Sequence, residues 1–403
     1  MNRPHAHADR CPAPIFNNKF EELTMFQSRI APAVSLLASI IAFLTLLGLS
    51  PYAAAEPFLD HFSVVNRISS TVPFNGDQNP YGVAVINRSV GSLRRGNVLV
   101  SNFNNAANLQ GTGTTIVQVA PDGTVSVFAR LDSSGIASAC PGGIGLTTAL
   151  VVLDAGWVIV GSLPSPTGLA ASAEAGCLIV LDSDGMMAET LAGDGINGPW
   201  DMTALDEYDE AILFVTNVLN GSVTKGSPHI VKQGSVIRIK LTVPPQHEGV
   251  PLRRSTTLIA AGFAETADPN ALVIGPTGLA LSWDGTLYVA DSLENRIAAI
   301  PYALTRNSPV NAGSTLAQGG SLNDPLGLAL APNGDVIAAN GGDGNLVEVA
   351  PDGHEVAVKT VETAFGAGSL FGIAIAPRGQ GVYFVDDGDN TLKLFTAAQG
   401  QTP

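Results

Sequence analysis

Short apolar runs cut by Gly, Pro, Asp and Asn recur along this chain in sets. Residues 274–301, IGPTGLALSWDGTLYVADSLENRIAAIP, show the set most clearly. Residues 278–282 are apolar and follow Pro276. Ser282-Trp283-Asp284-Gly285 predicts a tight turn, because Gly285 adopts positive φ at little steric cost. Residues 286–290 alternate and are rich in β-formers, Asp291 ends that strand, and Asn295-Arg296-Ile297 opens the next. The pattern returns at residues 324–349 and 370–395, and weaker copies begin at Pro80, Pro141 and Pro199. Six all-strand units at a spacing of roughly 40–50 residues, with Asp-Gly turns, predict an all-β fold, a six-bladed β-propeller of four-stranded antiparallel blades.

The blades are expected near residues 80–130, 141–191, 199–261, 276–316, 325–361 and 370–395. The last unit supplies three strands before a polar tail at 397–403, while residues 58–68, FLDHFSVVNRI, read as one strand without a partner. An open ring would leave sheet edges exposed, so the N-terminal strand is expected to close the ring as the outer strand of the last blade. Blades one to three are longer, with extra residues at 103–114, 163–176 and 218–234 between second and third strands. Those loops fall on the face that carries the connections between blades, and loops held by a rigid scaffold are where binding residues concentrate.

Residues 1–24 are polar, carry His5, His7 and Cys11 without periodicity, and read as an extension upstream of a start at Met25. From Met25, a short basic segment, an apolar run at 30–49 and the exit Pro51-Tyr52-Ala53-Ala54-Ala55 make residues 25–55 a signal peptide with cleavage before Glu56. The propeller then occupies residues 56–396, and the protein is expected to be extracytoplasmic, either periplasmic or secreted. The alternative is a membrane anchor, with residues 30–49 left uncleaved, because that run approaches spanning length.

Charge narrows the partners. The chain has 20 Lys and Arg against 35 Asp and Glu. Without residues 1–55 the counts are 16 and 32, so export leaves the acidic balance in place. Nucleic acid binding needs clustered basic residues and is excluded as an expectation. There is no Gly-x-Ser-x-Gly elbow and no phosphate loop, so Gly193-Asp194-Gly195 and Gly341-Gly342-Asp343-Gly344 read as turns.

The units resemble NHL repeats, a six-bladed propeller family. The resemblance rests on Pro276-Thr277-Gly278-Leu279-Ala280, on Asp284-Gly285 followed by Leu287-Tyr288-Val289-Ala290-Asp291, and on Asn295-Arg296-Ile297. It is also distantly similar to gluconolactonase-like and strictosidine-synthase-like propellers. The gluconolactonase resemblance implies a divalent cation at the tunnel mouth, held by Asn or Asp just after the Pro that opens each inner strand, together with a Glu. Here those places hold Tyr81, Gly142, Trp200, Thr277, Leu326 and Phe371, none of them a good ligand. Related lyases place His and a metal at the mouth. His61, His229, His247 and His354 share no metal-ligand spacing.

Three constellations remain. The ends of the second strands bring Asn102, Ser162, Asn217, Asp291, Asn340 and Asp386 to one height. Either they fix the following turns, or they form a polar rim in which Asp201, Asp291 and Asp386, with Asp387, hold a cation. Hard oxygen ligands suit Ca²⁺ better than Zn²⁺. Tyr81, Trp200 and Phe371 follow the residues that open inner strands. Either they join Asn102, Asn217 and Asn340 in a ligand-binding mouth, or they cap the apolar core. Cys140 and Cys177 sit on one face of blade two. An exported chain either bridges them or leaves them free, if the non-adjacent strands hold them too far apart.

The sequence therefore supports a binding module for a protein, peptide or glycan, working through the loop-bearing face and tunnel mouth. The rival is a cation-dependent hydrolase, lactonase-like, or a lyase in the central tunnel.

Overall fold

A computed structural model describes residues 56–131, 140–219 and 229–398. The expected signal peptide, the anchor alternative at 30–49 and most of the polar tail lie outside the described residues. Among the described residues no helix is long and apolar enough to cross a membrane.

Six blades, each a four-stranded antiparallel meander, form the propeller; in blade three two short strands, Leu272–Ile274 and the parallel Val310–Asn311, extend the sheet to six. The inner strands are Gln78–Val85, Leu146–Val152, Pro199–Glu207, Pro276–Leu281, Pro325–Leu330 and Leu370–Ile375. Each blade then runs outward as a meander. The last blade consists of Leu370–Ile375, Gly381–Asp386, Thr391–Thr396 and, outermost, the N-terminal strand Val64–Ser70. The closing pair runs antiparallel from Val64 opposite Thr396 to Ser70 opposite Thr391. A buried carboxylate anchors the approach to it. Glu348 accepts the amide hydrogens of Phe58 at 2.7 Å and Leu59 at 2.8 Å. Phe58, Leu59 and Phe62 then pack into the core shared by blades five and six.

The apolar core lies between blades. Six clusters of buried side chains fill the six interfaces between neighbouring blades, the first and last included. Strands sandwiched on both faces explain why runs such as Val98-Leu99-Val100 and Leu178-Ile179-Val180 do not alternate. The seventh cluster lies at the end of the tunnel where inner strands begin, and it contains Tyr81, Phe103 and Trp200.

Blade three departs from expectation. Its fourth strand was expected to end near residue 261 but runs Leu252–Asp268 and turns back as Leu272–Ile274. The turn is made by Asp268, whose Oδ1 accepts the amides of Asn270 and Ala271. This hairpin overhangs the tunnel mouth.

Candidate functional site at the tunnel mouth

One register repeats around the ring. Pro80 pairs with Asn102, Leu146 with Ser162, Pro199 with Asn217, Pro276 with Asp291, Pro325 with Asn340 and Leu370 with Asp386. After each pair the inner strand bulges, which frees the next residue from the ladder. Tyr81, Trp200, Thr277, Leu326 and Phe371 are those residues, and all five line the mouth cavity. In blade two the bulge is one residue longer, and Thr148 takes the lining place. Gly142 therefore does not correspond to Tyr81. It lies in the connecting loop, where its amide bonds the Ala175 carbonyl, and Pro141-Gly142-Gly143 only imitates the opening that Leu146 begins.

The next position faces the neighbouring inner strand. It is Gly82, Gly278, Gly327 and Gly372 in four blades because backbone passes close by. A Cβ on Gly372 would sit 2.2 Å from the Tyr81 carbonyl oxygen, and one on Gly278 2.2 Å from that of Leu326. Blade three places Asp201 there. Its Oδ1 accepts the Met202 amide at 2.8 Å and its Oδ2 the Leu279 amide of the next blade at 3.3 Å. Burial pushes this carboxyl up to about 7, against those two hydrogen bonds. Asp201 lines a wider channel of about 840 Å³ that reaches the opposite face. Thr148 and Gly327 border both this channel and the mouth cavity.

The ring of second-strand ends is buried and fixes loops. The Asn102 amide group donates to the Thr71 carbonyl, Ser162 Oγ donates to the Gly143 carbonyl, and Asn340 Nδ2 donates to the Ser321 carbonyl. Asn217 Oδ1 accepts the Asn197 amide. Asp291 is held by Arg296 at 2.5 Å, and Asp386 by Lys393 at 2.5 Å, which also reaches Glu362 at 2.7 Å and Asp389 at 3.3 Å. Burial, then the neighbouring Glu362, raises Asp386 to about 6. None of the six lines the mouth cavity.

Asp201, Asp291 and Asp386 are thus not brought together. Asp201 faces the channel, while the other two are engaged with cations inside their own blades. Among the described residues no group of three or more His, Cys, Asp or Glu is placed to hold a metal ion. The bulge residues that stand at the resemblance's ligand positions are aromatic, aliphatic or Thr. Neither these bulge residues nor the set Asp201, Asp291 and Asp386 fits a resident divalent cation.

The aromatic residues do come together. Tyr81 stacks on Phe371 at 4.0 Å and on Phe103 at 4.4 Å, and Trp200 meets Tyr81 edge-on at 6.1 Å. They bury one another, so the mouth has an aromatic floor rather than an exposed aromatic rim. Above it is a cavity of about 220 Å³. Phe103, missed in the sequence, is the other slice of this stack.

Of the polar residues of the cavity, Asp387 was a candidate from the sequence, while Asn79, Asp268 and Asp324 were missed. Asn79 and Asp324 precede Pro80 and Pro325, and both take left-handed backbone, with φ of 61° and 51°. Asn and Asp tolerate that region better than other side chains. Each amide is fixed from the preceding blade, Asn79 by Asn390 Oδ1 and Asp324 by Asn295 Oδ1, both at 2.6 Å. Their own Oδ1 atoms are buried without a hydrogen-bond partner, and the Tyr81 hydroxyl, which has the Asn79 side chain as its polar neighbour, makes no hydrogen bond of good geometry. Asp268 and Asp387 complete the acidic lining. Burial, then the charge of Asp386, pushes Asp387 up to about 7, and burial, then Asp268, raises Asp324. Burial, then Asp387, raises Tyr81 well above the ordinary phenol range. The Asn-Pro and Asp-Pro pairs were the available signal, since each marks a turn at the start of an inner strand.

Cys140 and Cys177 are joined by a disulfide, with Cα atoms 5.4 Å apart. The bond ties the entry loop of blade two to its third strand.

Solved structures with this fold include a gluconolactonase from Xanthomonas campestris, at 16% identity and a TM-score of 0.50, covering 87% of this chain and 99% of that one. A luciferin-regenerating enzyme aligns at 12% identity and a TM-score of 0.53, covering 84% and 96%. The calcium-binding protein regucalcin from Agrobacterium tumefaciens aligns at 14% identity and a TM-score of 0.52, covering 83% and 96%. At these identities the likeness is one of fold. No match to a curated protein sequence is found. The NHL-type repeat resemblance has no family match beside it; the stretch that matches a family model is residues 259–375, and that model is the SMP-30/Gluconolactonase/LRE-like region.

Proposed function

We propose that this chain is an extracytoplasmic binding propeller whose mouth cavity receives one polyhydroxylated ring, the end of a glycan being the partner that fits. The observation that carries this reading is the trio of buried oxygens without a hydrogen bond of good geometry, Asn79 Oδ1, Tyr81 Oη and Asp324 Oδ1, gathered over an aromatic floor. Buried polar atoms are normally paired, and leaving one unpaired costs about 1–3 kcal/mol. A ligand rich in hydroxyl donors repairs all three at once, while its apolar ring face lies against Tyr81, Trp200 and Phe371. The cavity volume falls below the range of about 300–1,000 Å³ typical of drug-sized ligands, which suits a single ring. The disulfide supports an oxidising compartment.

The test is titration of the protein with a panel of monosaccharides, read by calorimetry and by Trp fluorescence, since Trp200 is part of the floor. Saturable binding that Asn79→Ala abolishes is the expected result. Absence of binding across the panel overturns the reading.

A second reading, hydrolysis of a sugar lactone, is favoured by the family match over residues 259–375. Asp387, titrating near neutrality, is the group suited to take a proton from an attacking water. Hydrolysis of gluconolactone above the buffer rate, lost in Asp387→Asn, would select this reading. A rate equal to buffer would remove it.

A further inference from the structure

The mouth cavity holds three carboxyl groups, Asp268, Asp324 and Asp387, and no Lys, Arg or His lines it. None of the three makes an ion pair among the described residues. The contrast with the rest of the ring is informative. At the ends of two second strands the chain supplies the cation itself, Arg296 for Asp291 and Lys393 for Asp386, and elsewhere it covers buried carboxylates with amides, as for Glu348. At the mouth no such cation is supplied.

We infer that the ring bound at the mouth carries its own positive charge, as an amino sugar in the ammonium form. The inference rests on the mouth being a sugar site and names the class of sugar.

An independent observation points the same way. Asn79 and Tyr81 are more than nine-tenths buried, both line the cavity, and each presents an oxygen without a hydrogen bond of good geometry. Beside three carboxyl groups without counter-ions, the Asn79 oxygen adds a further acceptor, and the Tyr81 hydroxyl can accept as well as donate. An ammonium group is donor-only, with three hydrogens to give, and so complements such a set better than a hydroxyl, which brings acceptor lone pairs of its own. A neutral sugar would satisfy the orphan oxygens but leave the acidic charge unpaired inside a small cavity, which is costly. The aromatic floor adds attraction for a cation within about 6 Å of a ring face. Asp324 is set rigidly for the task by its left-handed backbone and by the Asn295 clamp on its amide. A bound ammonium would also draw protons off Asp387, so binding is expected to release protons at neutral pH.

The experiment titrates the full chain at pH 7 with glucosamine, N-acetylglucosamine, glucose and ethylammonium. It is repeated with Asp324→Asn and Asp387→Asn variants whose melting temperatures are checked first. Glucosamine is expected to bind at least tenfold tighter than the other three, with a preference that weakens at high salt and disappears in both variants. Equal binding of the three sugars overturns the charge inference and leaves the sugar site standing. No binding by any sugar overturns both. Ethylammonium binding as tightly as glucosamine shows that the ring is not read and overturns the amino-sugar assignment. A glucosamine preference that survives in both variants overturns the residues named. Should one variant fail to fold, the other decides the outcome alone.

Discussion

Tyr81 and Phe371 stack face to face at 4.0 Å across the seam where the first blade meets the last. The same contact that helps seal the ring also forms the floor of the cavity, so stability and binding meet in one pair of rings. The Tyr81 hydroxyl separates the two roles, because it makes no hydrogen bond of good geometry in the fold. Tyr81→Phe is expected to leave stability unchanged or raise it by about 1 kcal/mol, while weakening sugar binding about tenfold. Phe371→Ala, which removes one of the three stacked rings, is expected to cost about 2 kcal/mol. Urea denaturation and calorimetric titration of the two variants check both halves.

Glu348 is the anchor of the closing segment. It accepts the amides of Phe58 and Leu59 and a hydrogen bond from Asn333 at 3.0 Å. Its neighbour Asp335 is raised to about 6, first by burial and then by Glu348 itself. Glu348→Gln turns a donor toward those amides and removes the charge they share. The expected loss is about 3 kcal/mol. Hydrogen exchange should speed up at residues 58–70 before it does elsewhere; uniform acceleration around the ring would contradict the anchor role.

Asp201 predicts a pH dependence with a definite sign. Its folded value of about 7 lies above the ordinary carboxylate value of 3.8. A raised carboxyl binds its proton more tightly in the folded state, so its contribution is complete below pH 4 and is lost as pH rises toward 7. The shift corresponds to a contribution on the order of 2–4 kcal/mol between those limits. Asp201→Asn is expected to be more stable than the parent at pH 8 and to lose the slope between pH 4 and 7. Melting curves across that range decide it.

Chelation should matter little. Asp291 and Asp386 have their own cations, and no third carboxylate joins Asp201. The melting temperature with EDTA is expected to match that with added Ca²⁺. A fall on chelation, restored by Ca²⁺, would show an ion held by residues other than these three.

Most of the architecture was legible because a propeller repeats its own grammar. Pro276-Thr277-Gly278 and Pro325-Leu326-Gly327 announce an inner strand by three constraints at once: a residue without an amide donor at the entry, a bulged residue facing the mouth, and a glycine against the next backbone. Blade two broke the grammar. Leu146-Thr147-Thr148 lacks both Pro and Gly, and Pro141-Gly142-Gly143 offered a decoy a few residues earlier. Only the pairing of Leu146 with Ser162 identifies the true entry. The aromatic residues were visible, but which face of each ring is covered depends on neighbours more than 100 residues away, as with Tyr81 and Trp200. The orphan oxygens of Asn79 and Asp324 were invisible for a related reason. A sequence shows a polar side chain before a proline, and only the assembled ring shows that nothing in the fold bonds to it.

The strand that closes the ring has a history in time. Val64 emerges near the start of the folded region, and Thr396, which it must pair with, is added more than 300 residues later. Until the last blade exists, Val64–Ser70 is an edge without a neighbour, and Phe58 and Leu59 have no Glu348 to receive them for most of synthesis. Contacts of such long sequence separation form late and slowly. A chain cut short before Thr391 would therefore fail at its beginning, and a ribosome stalled within the last blade would hold a nearly finished ring whose first strand is still waiting.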